Sequence, residues 1–234
     1  MNGEDYKDRP DIINSIINGL ERYNPEAVPA LEEYLGQQCE ERFVDCNANR
    51  TLLKLYQLNP DRIKDEVITN TLVKTITQFP GTQFTLALHL INPTAAVQGE
   101  LGEAVQKLRS LNSLLEGCEY ARFWATLDSD DLYADLVADI SGFEDLVRQR
   151  IALLTAQACR EVSLANMEAW LGLDGEAATK KFITETSRWT IDESRKVAIV
   201  PKNPENEAKK TEIREDVSVD MFSRVIKRAW EVSA

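Results

Sequence analysis

Glycine and proline are scarce, 10 and 8 in 234 residues. So little turn punctuation favours long helices over a fold of many short strands. Cysteines stand at 39, 46, 118 and 159 with no C-x-x-C pair among them, and the chain has a single histidine. These spacings do not fit the common zinc sites, and they leave the cysteines to be read as small buried apolar side chains in a reducing compartment. No apolar run approaches the roughly 18 residues of a membrane span. The acidic start, Met1-Asn-Gly-Glu-Asp5, lacks the apolar core of a signal peptide. A cytoplasmic protein is expected.

Signatures of catalysis are also missing. There is no phosphate-binding glycine loop, and Gly99-Glu-Leu-Gly102 opens no strand-to-helix turn. His89 lies in the apolar helical stretch Phe84-Thr-Leu-Ala-Leu-His-Leu-Ile91, without a nucleophile motif beside it. It reads as a packed or half-buried side chain rather than a catalytic base. Asp128-Ser-Asp130-Asp131-Leu-Tyr-Ala-Asp135 resembles a calcium loop but has Tyr133 where that loop needs glycine, and Asp139 where it needs glutamate. The segment reads as an acidic helix start, capped by Asp128 or Ser129. No catalytic residue, cofactor site or metal ligand is therefore expected, and the chain does not read as an enzyme.

Basic residues are in deficit: 27 Lys and Arg stand against 39 Asp and Glu, a net charge of −12. Duplex nucleic acid is disfavoured as the main partner, because phosphate binding needs a basic face. Residues 163–234 are nearly neutral, with 12 basic and 13 acidic side chains, so a local RNA contact there stays open.

Asn-Pro pairs punctuate the first hundred residues: Asn24-Pro25, Asn59-Pro60 and Asn92-Pro93. Asn as N-cap with Pro in the first turn fits a helix start after each. Two helical stretches lie in each interval, about 28–42 and 46–57, then about 61–79 and 83–91. A two-helix unit recurring near 34 residues has the size of a tetratricopeptide-type repeat, though its signature residues are absent. Apolar stripes continue the pattern. Ala48, Leu52, Leu55 and Tyr56 form one, Val97, Leu101, Ala104, Leu108, Leu111 and Leu115 a second, and Phe143, Val147, Ile151, Leu154 and Ala158 a third. The expected architecture is mainly α: a helical-repeat domain of HEAT- or TPR-like hairpins over 1–160.

From 161 to 234 the pattern changes. A helix over 162–171 capped by Ser163, a turn with Asp174 as cap, a helix over 176–188, and a strand at Lys196–Val200 paired with 189–192 give the order of a winged helix. Its candidate recognition helix carries Lys180, Lys181 and Arg188 against Glu176 and Glu185, a weak signal for RNA contact. Residues 201–216 read as a flexible, charge-balanced loop. A terminal helix follows. Val219, Phe222, Val225, Ile226 and Trp230, widened by Met221 and Ala229, form an apolar arc broad enough to be a partner-binding face.

Several segments resemble a known family. Leu20-Glu-Arg-Tyr-Asn-Pro-Glu26, Leu52-Leu-Lys-Leu-Tyr-Gln-Leu-Asn-Pro60, Phe84-Thr-Leu86, Phe123-Trp124 with Leu127-Asp128, and Gly142-Phe-Glu-Asp145 with Val147-Arg148 are similar to the K-subunit family of eukaryotic translation initiation factor 3. The resemblance implies a PCI-type layout and a non-catalytic scaffold subunit without cofactor. It also implies subunit L as a close partner, and binding to the small ribosomal subunit through the whole factor. The alternatives are a nucleic-acid-binding winged-helix protein and a PCI-type subunit of another assembly such as the proteasome lid.

Overall fold

The computed structural model describes residues 9–93, 96, 97, 99–208 and 219–231. Helix starts follow from a few short polar side chains. Asp45 accepts from the amides of Asn47 and Ala48 and begins α3 (Cys46–Leu58). Asp130 accepts from the Leu132 amide, and Ser163 from the Asn166 amide. Each satisfies a backbone donor that the first helical turn leaves unpaired. Before α3 stand α1 (Asp11–Asn18) and α2 (Val28–Glu41); after it come α4 (Asp65–Ile76) and α5 (Gln83–Leu90). Next are α6 (Gly99–Glu116), α7 (Tyr120–Leu127), α8 (Asp131–Ala138) and α9 (Phe143–Ala158). Helix α2 packs on α3 and α4 on α5, so the two hairpins expected from the Asn-Pro spacing are present.

The caps depart from expectation in instructive ways. Asn24 behaves as an N-cap, accepting from the Glu26 amide at the 3-10 turn Pro25–Ala27. Asn59 faces backward: its Nδ2 donates to the Leu55 carbonyl at 2.8 Å, closing α3 instead of opening the next helix. Among the described residues, the next helix after Asn92-Pro93 is α6 from Gly99. Asp130, and neither Asp128 nor Ser129, caps α8. Along α6 the buried stripe is Leu101, Val105, Leu108, Leu111 and Leu115; Ala104 is half-buried and Val97 exposed. Along α9, Thr155 takes the buried place after Ile151, and Ala158 is exposed. Val97 precedes the first turn of α6, and in α9 successive steps of four carry the buried face from Ile151 to Thr155.

Beneath the hairpins lies a buried polar network. The Asp45 carboxylate accepts from Arg9 Nε at 2.5 Å and Nη2 at 2.9 Å. Gln38 Oε1 accepts from the Asp45 amide at 2.8 Å, and Gln38 Nε2 donates to Asn49 Oδ1 at 2.8 Å. Nearby, Lys74 is 0% exposed, and its Nζ donates to the Gln38 carbonyl at 2.6 Å.

Beyond α9 come β1 (Glu161–Ser163), α10 (Leu164–Leu171), α11 (Glu176–Lys181) with a π turn over Phe182–Thr186, β2 (Thr190–Asp192) and β3 (Val197–Ile199). The sheet order is β1-β3-β2, both pairs antiparallel, with Val162 and Ile191 each opposite Ala198. Val162 therefore belongs to a strand, where a helix was expected. Helix α11 starts at Gly175 (φ 99°) without help from Asp174, and its regular turns end at Lys181. Residues 201–208, expected as part of a flexible loop, form a bonded turn. Asn203 and Asn206 donate to the Ala156 carbonyl at 2.8 and 3.1 Å, closing the end of α9. The remainder of that loop, 209–216, lies outside the described residues.

One seam joins the two-helix layers to the α10 region. Trp124 Nε1 donates to the Trp170 carbonyl at 2.9 Å, and Arg148 Nε to the Leu171 carbonyl at 2.9 Å. The Arg148 guanidinium also stacks 4.9 Å from the Trp124 ring centroid. Gly172 ends α10 at φ 56°, and a Cβ there would stand 2.5 Å from the indole. The expected outcome for Gly172→Ala is a loss of about 2–3 kcal/mol, combining the left-handed penalty with displacement of a packed ring. Equilibrium denaturation checks it; an unchanged stability would mean that the indole moves aside freely.

Candidate partner-binding surface

The terminal helix α12 spans Val219–Glu231. Phe222, Val225, Ile226, Ala229 and Trp230 follow the i, i+3, i+4, i+7, i+8 rhythm of one helical face. In this chain that face is open to solvent. Met221, Phe222, Val225, Ile226 and Trp230 are between 55 and 76% exposed. The Val219 side chain lies outside the description. Arg224, Lys227 and Arg228 stand with Asp220 and Glu231 among the polar residues of the same helix. A 13-residue helix is marginal in water by itself, so most of its stability has to come from whatever covers this face. The chain's own core stops short of it: the buried cluster runs from Ile13 to Val200.

The three basic residues of the α11 region are in a different state. Lys180 donates to Glu176 and to Glu193, each at 2.8 Å, and these bonds hold its ammonium above the ordinary lysine pKa. Its charge is therefore shared between two carboxylates. Lys181 and Arg188 are exposed, Arg188 in the left-handed region at φ 57°.

The remaining sequence candidates are dispersed. His89 is exposed, not packed or half-buried as expected, because it sits on the outer side of α5 while Phe84 and Ala87 turn inward. It borders a groove of about 520 Å³ with Arg109 and Glu116. Cys39 and Cys46 are buried as expected, and burial pushes the Cys39 thiol up. Cys118 is exposed and Cys159 half-buried. Both line a groove of about 660 Å³ against Pro80, Tyr120 and Trp170, where the Tyr120 hydroxyl donates to Cys118 Sγ at 3.5 Å. Among the described residues, no group of three or more His, Cys, Asp or Glu could hold a metal ion, and no helix is long and apolar enough to cross a membrane.

Known proteins give this surface its context. The sequence profile of the CSN8/PSMD8/EIF3K family matches residues 62–212, from the turn before α4 to beyond β3. The chain belongs to the CSN8/PSMD8/EIF3K family. Its relatives include a Neurospora crassa protein named eukaryotic translation initiation factor 3 subunit K, 66% identical over 239 residues and covering 100% of both chains. Proteins of the same name from Pyricularia oryzae strain 70-15 and Botryotinia fuckeliana are 68% identical over 231 residues and 55% identical over 239. These alignments cover 98% and 97% of this chain, and 97% and 96% of the relatives. The family match ends at residue 212, so α12 lies beyond it, whereas the full-length relatives take in nearly the whole chain.

Proposed function

We propose that the chain is a non-catalytic scaffold subunit of eukaryotic translation initiation factor 3, supporting assembly at the small ribosomal subunit in the cytoplasm. The relatives that match across the whole length carry that factor's name. The observation that carries the mechanism is α12: five large apolar side chains on an exposed helix with no core of their own. A scaffold role needs such a face, because a few aromatic and aliphatic anchors supply most of the binding energy when a partner helix covers them. The occupant in this reading is a helix of a neighbouring subunit, with subunit L as the first candidate. Residues 1–160 form the helical-repeat body and 161–234 the winged helix with its terminal arm. Lys181 and Arg188, more than the doubly paired Lys180, are the residues for any RNA contact in that arm.

Replacing Phe222, Ile226 and Trp230 together by alanine tests the reading. The isolated triple variant is expected to melt at the temperature of the parent chain, since none of the three is buried in it. Co-purification with the other subunits of the factor is expected to fall by at least tenfold, the loss of one hot-spot side chain being worth about 2 kcal/mol or more. Destabilisation by several kcal/mol would return the helix to the chain's own core. Undiminished co-purification would place the interface elsewhere.

A further inference from the structure

One cluster of described cations without ion pairs lies towards the start of this acidic chain, far in sequence from α12. Arg22 and Tyr23, in the 3-10 turn Leu20–Tyr23, face Asn47, Arg50 and Lys54 of α3 across a cleft of about 340 Å³ floored by Ile17 and Leu90. Asn47, Arg50 and Lys54 are spaced by three and four residues, which puts them on one side of the helix. Among the described residues, none of the three cations forms an ion pair, whereas Arg42, Arg62, Lys64, Lys107, Arg122, Arg148, Lys180, Arg195 and Lys202 all do. They are held instead by neutral groups. Arg50 donates to Asn47 Oδ1, and Lys54 Nζ to Gln57 Oε1 at 2.7 Å. The Arg22 guanidinium lies 5.6 Å from the Tyr23 ring centroid. Amide and ring partners orient a cation without cancelling its charge, so the cleft is arranged for an anion before one arrives, and little rotamer freedom remains to be lost.

We infer that this cleft binds single-stranded RNA, with Arg22, Arg50 and Lys54 on backbone phosphates and a base stacked on Tyr23. Cations that track the backbone beside an aromatic platform are how single strands are held without sequence readout. Tyr23 is 57% exposed, as a stacking platform has to be. An acidic peptide would satisfy the cations but leave the ring without a matching partner, while a nucleotide carries a π face next to its own phosphate. A duplex is excluded as ligand, because its bases are not free to leave the stack. The inference is independent of the role given to α12.

The test is fluorescence anisotropy of the full chain with a labelled oligouridylate. Binding is expected at low salt, weakening about eighteenfold between about 50 and 200 mM salt, the slope for three phosphates on a single strand. Arg22→Gln/Arg50→Gln/Lys54→Gln is expected to abolish it. Tyr23→Ala is expected to weaken it about fivefold or more. Arg160→Gln/Lys196→Gln, two exposed cations far from the cleft in sequence and given no binding role, is expected to leave it unchanged. Circular dichroism melts confirm folding; should the triple cleft variant melt early, Arg22→Gln alone, on an exposed side chain, carries the test with a loss of about threefold. No binding at low salt, full binding by the cleft variants, or an equal loss through the Arg160 and Lys196 control would overturn the inference. So would tighter binding of a polyglutamate peptide through the same three cations, which would make the occupant an acidic protein segment.

Discussion

Asp45→Ala is expected to lower the free energy of unfolding by about 3–5 kcal/mol, the usual cost of removing one partner from a buried ion pair. The Asp45 side chain is 0% exposed and that of Arg9 only 7%. One carboxylate there answers two donors of Arg9 and two backbone amides at the start of α3. Alanine leaves the guanidinium charged and facing protein instead of water, and it uncaps the helix as well. The damage extends to neighbours, because Gln38 and Asn49, both buried, are positioned around the Asp45 backbone. Urea titration of the parent, Asp45→Ala and Asp45→Asn separates the parts. Asparagine keeps an acceptor for the amides but not the charge, so its loss should fall between the other two. A cost under about 1 kcal/mol for alanine would mean that Arg9 escapes to solvent.

Lys74 makes the second large prediction. Desolvation, partly opposed by Cys39, pushes its pKa down to about 8 from the ordinary 10.5. The folded chain therefore releases this proton at a lower pH than the unfolded chain does. Between these two values the unfolded state holds more protons, so stability rises with pH. Below about 8 both states are charged and the full cost of the buried ammonium is present. The whole span is worth about 3 kcal/mol. Other groups also titrate in alkali, so the quantity to measure is the stability of the parent chain minus that of Lys74→Met from pH 7 to 10.5. The difference is expected to shift in favour of the parent by about 3 kcal/mol across that range. The methionine variant, which keeps the volume and discards the charge, should be the more stable at pH 7. Parallel curves for the two proteins would show that the ammonium is hydrated in the folded state.

Periodicity made the hairpins legible, because α2 to α5 bury whole faces against one another and their apolar spacing had to match the helix. The strand β3 was legible from its β-branched run. Its partner β1 was not: three residues carry no period, and Val162 continues smoothly into the apolar pattern of α10. Caps were readable as a residue class but not as a position, since Asp128, Ser129 and Asp130 are equally suited and only backbone geometry selects Asp130. The exposure of α12 was not contained in its composition, which describes a broad apolar face without saying whether the chain covers it. The cleft of Arg22, Arg50 and Lys54 left no trace in the charge pattern. Its members come from two elements, and the sequence sets Arg22 between Glu21 and Glu26. Net charge by segment pointed to 163–234, where pairing by Glu176 and Glu193 removes much of the advantage.

The placement of β1 bears on how this chain can be taken apart. A protein whose second half began with a helix could be cut before that helix and expressed as two pieces. Here the first three residues after Arg160 are one edge of a sheet whose centre is β3, with Glu161 opposite Ile199 and the Val200 amide donating to the Arg160 carbonyl at 2.9 Å. A piece beginning a few residues late loses an edge strand and uncovers a row of hydrogen-bonding groups on β3. A piece ending at 160 uncovers Trp124 and leaves Arg148 without its carbonyl partners. Fragments divided near residue 160 would then show aggregation created by the cut, and each half keeps its surface only while the chain is continuous through that seam.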